Sequence, residues 1–177
     1  PVQLLNGNPW PKNSPNTYTG RTILSTGIAK SINTIAIQAL QSVGVADAFA
    51  FATEKLNLNL VAEDMNLSSL GLGGLTYGLT TEEMAAAYAA FANNGVYNSP
   101  RTYVRVTKTD STTGEETVIL ENEAESHVAM KETTAYFMNQ MLTSVVNAGT
   151  GTSAKFSGMT IAGKTGTTDD SRVRYFV

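Results

Sequence analysis

Glycine, asparagine and proline cut this chain into short pieces. Fifteen glycines and five prolines are spread over 177 residues. Glycine admits positive φ, and proline disfavours helix in the residue before it, so each such pair marks a turn or an end. The first twenty residues are the densest case. Asn6-Gly7, Asn8-Pro9, Trp10-Pro11, Ser14-Pro15 and Gly20 predict an ordered surface loop in which Trp10 and Tyr18 supply something to bury. The longest apolar run stays far below the roughly 20 residues of a membrane span.

Between the breaks, apolar spacing of three and four predicts helices. Thr22 to Val43 carries that period with one interruption. Ile23, Leu24 and Ile28 fit one short helix, and Ile35, Ala36, Ala39, Leu40 and Val43 fit a second that Gly44 ends. Lys30 to Thr34 separates them, and Ser31 or Asn33 could cap the second helix. Ala46 to Leu56 predicts a third. Residues 57–79 are rich in Asn, Gly and Leu and receive no element. The clearest helix is Thr81 to Asn94, with a capping threonine, Glu82 and Glu83 in the first turn, and a stripe of Met84, Ala87, Tyr88 and Phe91. Tyr103 to Thr109 alternates as a strand does, Asp110 to Gly114 turns, and Thr117 to Leu120 returns. Ser126 to Val146 predicts a long helix burying Tyr136, Phe137, Met138, Met141 and Leu142. Met159 to Thr168 and Arg172 to Val177 predict two strands about the turn Asp169-Asp170-Ser171.

Composition narrows the chemistry. The length fits one domain at about 150 residues each. A net charge of -3 with no Lys/Arg run argues against a nucleic-acid surface. With no cysteine, thiolate metal sites, disulfides and cysteine nucleophiles are excluded. The single histidine, His127, lies in an acidic connecting stretch and reads as an exposed loop or interface residue, so no metal and no cofactor is expected. Beginning at Pro1 and ending inside an apparent strand, the chain reads as an excised piece.

Two short motifs remain. On a helix, Ser31 and Asn33 would face different sides; in a turn they share one. They are either an ordinary cap or a ligand-facing pair. Lys164-Thr165-Gly166-Thr167 falls on the predicted strand, where alternation sets Lys164 and Gly166 opposite Thr165 and Thr167. A glycine inside a strand suits the close approach of a ligand or another backbone. Such a strand offers N–H groups, two hydroxyls and one cation to an anionic, extended peptide, or is simply a solvated threonine-rich end.

Ser-x-x-Lys, Ser-Asp-Asn and Lys-Thr-Gly are the motif set of penicillin-binding proteins and class A β-lactamases. The sequence resembles the transpeptidase domain of class A penicillin-binding proteins over nearly its whole length. Ser31-Ile32-Asn33 is similar to the second motif, and Lys164-Thr165-Gly166, flanked by Gly163 and Thr167, to the third, the two lying 133 residues apart. Trp10-Pro11-Lys12-Asn13 leading to Gly20 resembles the family's lead-in loop. Gly78 to Ala85, with Tyr88, Phe91, Ala92 and Gly95, resembles its helix after a Gly-rich loop. The chain departs from the pattern in two places. No serine has a lysine three positions on, Thr152-Ser153-Ala154-Lys155 being the nearest mimic, and Val173-Arg174 stands where relatives often carry Asp.

The resemblance implies an α+β fold, a partial transpeptidase domain over residues 1–177 truncated at both ends, with helices packed on an incomplete antiparallel sheet. It implies D,D-transpeptidation: a serine takes the acyl group of a D-Ala-D-Ala stem peptide and passes it to a neighbouring amine, and penicillins acylate that serine. It also implies catalytic roles for Ser31, Asn33 and Lys164, and substrate binding by Thr165, Gly166 and Thr167. The implied partners are peptidoglycan stem peptides, β-lactams and a preceding segment bearing the nucleophile and a membrane anchor, on the outer side of a bacterial membrane. The alternatives are a β-lactamase or β-lactam sensor of the same fold, or an envelope-binding module without catalysis.

Overall fold

The structure, a computed structural model, describes residues 3–5, 7–167 and 174–177, the first three by backbone alone. The expected turn Asp169-Asp170-Ser171 and the strand ends Thr168, Arg172 and Val173 lie outside the described residues.

A hairpin of β1 (Gln3–Leu5) and β2 (Asn8–Trp10) opens the chain, where only a loop was expected. Helix α1 (Leu24–Ala29) and helix α2 (Asn33–Val43) follow, broken at the expected place. Next comes α3 (Val45–Ala50), extended by a π turn, Phe51–Lys55. The Gly-rich stretch holds an unexpected helix, α4 (Leu67–Leu72), capped by Asn66, whose side-chain oxygen accepts from Ser68 N and Ser69 N. Asn and Gly there punctuate a helix of six residues, too short for its period to stand out from the turns around it.

Helix α5 (Thr81–Ala92) starts with a reciprocal cap. Thr80 Oγ1 accepts from Glu83 N, and the Glu83 carboxylate accepts from Thr80 N at 2.7 Å. After Gly95 come β3 (Val96–Asn98), the hairpin β4 (Arg105–Thr109) and β5 (Glu116–Glu121), then β6 (Ser126–Val128) paired with β3. The long helix is α6 (Glu132–Ala148), and β7 (Thr165–Thr167) pairs with β8 (Arg174–Phe176). The architecture is α+β, and the described strands form four separate antiparallel pairs.

Three expectations need correction. The helix placed at Ser126 begins six residues later, because Ser126–Val128 is spent on pairing with β3 and Lys131 is extended. His127 therefore sits half-buried on a strand, its ring stacked on Tyr97 and its Nε2 2.9 Å from the Lys55 carbonyl. The buried side of α6 is also different. Leu142 is buried as expected and Met138 and Met141 are half-buried, but Tyr136 and Phe137 are 58% and 63% exposed, and Ala135, Val145 and Val146 face inward instead. Finally, of Met159 to Thr168 only β7 is regular strand among the described residues, although Lys164 and Val177 exchange a pair of backbone hydrogen bonds that extends its ladder by one residue.

Small residues explain the choice of buried face. The core about α5 joins Ala86, Ala90, Tyr97, Ala129, Met130 and Ala135, so the backbones approach closely. A Cβ on Gly95, at φ +86, would strike the Met130 carbonyl, and one on Gly149 would strike the carbonyl of Ala29 where α1 crosses α6. Where α6 comes close to α1 and α5 its small residues face inward, and Tyr136 and Phe137 stay outside.

The Asp64 carboxyl is held below the ordinary carboxylate range chiefly by the backbone N–H of Thr76, and that of Glu83 chiefly by the N–H of Thr80. A depressed folded pKa contributes stability above the unfolded value, about 4, that is lost as pH falls through the folded one. The urea midpoint of the chain is therefore expected to be flat from pH 7 to 5 and to fall below about pH 4. Asp64→Asn should reduce the size of that fall; an undiminished fall would contradict the assignment.

Candidate active site

Ser31 sits at the end of α1 in a conformation that serine does not favour. Its φ is +55, in the left-handed region. Ser31 N donates to Ile28 O at 3.2 Å and Ile32 N to Gly27 O at 2.8 Å, the bond pattern of a Schellman helix terminus, whose left-handed position usually holds glycine. A side chain there costs about 1–2 kcal/mol. Such a residue persists only where its surroundings over-determine it, which is common at functional sites.

The result is an aimed hydroxyl. Lys164 Nζ donates to Ser31 Oγ at 2.9 Å, and also to Thr165 O at 2.8 Å. Lys164 is half-buried, and burial holds its pKa below the usual ammonium value. Two residues 133 apart in sequence thus share a hydrogen bond.

Neither Ser31 nor Asn33 caps α2, so the capping role that the sequence offered them is not the one they take. The N-cap position is Ile32, and its side chain makes no capping bond. The cap comes from the lead-in loop: Asn13 Oδ1 accepts from Thr34 N at 3.1 Å, and Asn13 Nδ2 donates to Thr17 O at 2.9 Å. Asn33 reciprocates, its Nδ2 donating to Lys12 O at 2.8 Å. Asn33 is therefore beside the site, with its amide nitrogen engaged in strapping the loop down. The spacing Pro11-Lys12-Asn13 was visible in the sequence; that Asn13 reaches the second helix was not.

On the opposite wall, Thr165 shares a hydrogen bond with Thr150, their hydroxyl oxygens 2.6 Å apart. Gly166 and Thr167 are exposed on β7, which is hydrogen-bonded to β8 alone among the described residues. Gly163 allows the strand to pack: a Cβ there would come within 2.6 Å of the Phe176 ring. Tyr175 Oη donates to Leu79 O at 2.9 Å, tying β8 to the Gly-rich loop.

These parts enclose a groove of about 510 Å³, with Lys164, Thr165 and Thr167 on one side and the loop Gly73–Leu79 on the other. That size suits a small ligand or a few residues of peptide. It offers a cation, hydroxyls and a strand that pairs on one side only among the described residues, a set matched to a carboxylate at the end of an extended chain. Sequence reasoning missed Thr150, Tyr175 and Thr76, which act through pairings that spacing does not reveal.

The profile of the penicillin-binding protein transpeptidase domain matches residues 5–172. Penicillin-binding protein 1A of Clostridium acetobutylicum is 39% identical over 97% of the chain and 21% of its own length. Among solved structures, penicillin-binding protein 1A of Haemophilus influenzae aligns with TM-score 0.74 at 22% identity, covering 94% of this chain and 29% of that one. The D,D-transpeptidase domain of the peptidoglycan glycosyltransferase of Eggerthella lenta aligns with TM-score 0.71 at 25% identity, covering 92% and 45%. The chain spans about a fifth of the length of the curated relatives it matches. A hydrogen bond that joins the Ser-x-Asn element to a groove lined by the Lys-Thr-Gly strand, and a family match over nearly every residue, lead to one conclusion: the chain belongs to the penicillin-binding protein transpeptidase domain family.

Proposed function

We propose that the chain forms part of the active site of a peptidoglycan D,D-transpeptidase on the outer face of a bacterial membrane. The contact between Lys164 Nζ and Ser31 Oγ carries this reading. The nucleophile is the serine of a Ser-x-x-Lys motif contributed by a segment that precedes this one, since no serine here has a lysine three places on. That serine attacks the carbonyl of the penultimate D-Ala of a stem peptide, forming an ester and releasing the terminal D-Ala. The amine of a neighbouring stem then takes the acyl group and frees the serine.

Ser31 relays the proton between the nucleophile's lysine and the leaving nitrogen, a role worth about 10²–10⁴-fold in rate. Lys164, kept in a partly desolvated position, orients the Ser31 hydroxyl and attracts the terminal carboxylate of the substrate. The Thr165 and Thr167 hydroxyls bind that carboxylate, and Gly166 leaves room for the donor backbone beside the strand. The Thr167 N–H donates to the developing oxyanion; loss of one such donor costs about 3–4 kcal/mol. Asn33 holds the loop at Lys12 and offers its carbonyl oxygen to the substrate amide and the nucleophile's lysine.

A labelled penicillin incubated with residues 1–177 alone is expected to leave no covalent adduct by mass spectrometry, and to label the full-length protein. Adduct on any residue of the chain contradicts the assignment of the nucleophile. Ser31→Gly provides a second test. It relieves the left-handed strain, so the chain is expected to keep its stability to within about 1 kcal/mol. Acylation of the full-length variant should nevertheless fall at least about a hundredfold. Unchanged acylation would remove Ser31 from the mechanism.

A further inference from the structure

The wall of the groove facing β7 is held in place by a residue that touches no part of the motifs. Asp64 is 2% exposed, and its carboxylate is fully engaged. Oδ1 accepts from Thr76 N at 2.7 Å and from Thr76 Oγ1 at 2.8 Å, and Oδ2 accepts from Val61 N at 3.2 Å. A buried carboxylate is costly unless hydrogen-bonded, and here its charge-assisted bonds close a loop over α4. Three residues beyond Thr76, Leu79 is fixed by Tyr175 Oη. Between these two anchors stands Tyr77, 85% exposed, followed by Gly78 at φ +72.

A large aromatic ring displayed to water from a backbone pinned on both sides is an unusual arrangement. The backbone that carries the ring is fixed on both sides, so part of the ordering cost of a contact is already met. It lines the same groove as Lys164, Thr165 and Thr167. We propose that Tyr77 is a specificity-determining contact for the acyl donor, its ring packing on the acylamino side of an extended peptide or β-lactam lying along β7, with Asp64 as the positioning residue that holds it there through Thr76. This rests on the transpeptidase reading and names what that site selects for: a donor with apolar bulk next to its reactive carbonyl unit.

The test compares two β-lactams on the full-length protein: benzylpenicillin, which carries an aromatic acylamino group, and 6-aminopenicillanic acid, which has none. The readout is the ratio of their second-order acylation constants. An aromatic contact of about 0.5–1.5 kcal/mol corresponds to a two- to tenfold change, so Tyr77→Ala should lower the ratio by about that factor and Tyr77→Phe should preserve it. Asp64→Asn should lower the ratio too, and Thr76→Val, which removes only the hydroxyl bond, decides the point if Asp64→Asn does not fold. Equal losses for both compounds would mean that the loop is merely structural, and no loss in Tyr77→Ala would mean that the ring touches nothing; either overturns the inference. A wild-type protein acylated by neither compound removes the transpeptidase reading itself, and this inference with it.

Discussion

A single hydrogen bond, from the Lys164 ammonium to the Ser31 hydroxyl, joins two distant stretches of chain into one site. It is 2.9 Å long, donated by a half-buried lysine and accepted by a serine held in a left-handed conformation that any other arrangement of the turn would release. Everything around it serves to keep its two ends in register. The lysine comes at the start of β7, the serine from the end of α1, and no strand or helix runs directly between them.

The connection is made by the C-terminal end of α6. Lys30 Nζ donates to Ala148 O at 2.6 Å, and Thr150 N donates to Ala29 O at 3.0 Å, so α1 and its terminal turn are fastened to the end of that helix. Gly149 makes this possible, since a side chain there would collide with the Ala29 carbonyl. The same end reaches the other wall through the Thr150–Thr165 hydroxyl pair, and further back Gly163 N donates to Leu142 O. Buried Leu142, Val145 and Val146 anchor the helix in the core. The Ser31–Lys164 contact is thus positioned by the end of a helix anchored in the core, the kind of support that holds a functional geometry in place.

Much of this was legible in the sequence, and the limits have physical causes. The break between α1 and α2 followed from apolar spacing, and the α5 cap from Thr80 and Glu83, because both are local signals. The motif pair was visible through its resemblance to a family pattern, whereas its convergence is a tertiary fact. The errors arose where tertiary contacts override local preference. Ser126–Val128 could join a helix or a strand, and β3 decides for the strand. Tyr136 and Phe137 are the larger apolar residues, yet alanine and glycine contacts with α1 and α5 turn the opposite face inward. Asn13 and Asp64 act across turns on residues 21 and 12 positions away, distances at which no sequence period points to a partner.

The central claim is that Ser31 and Lys164 act as a unit. A double-mutant cycle on β-lactam acylation of the full-length protein, with Ser31→Ala, Lys164→Ala and the pair together, measures this directly. The account predicts strong non-additivity, a coupling above about 1 kcal/mol, with the double variant scarcely slower than the worse single one. Losses that simply multiply would show that the two groups work independently and would contradict it.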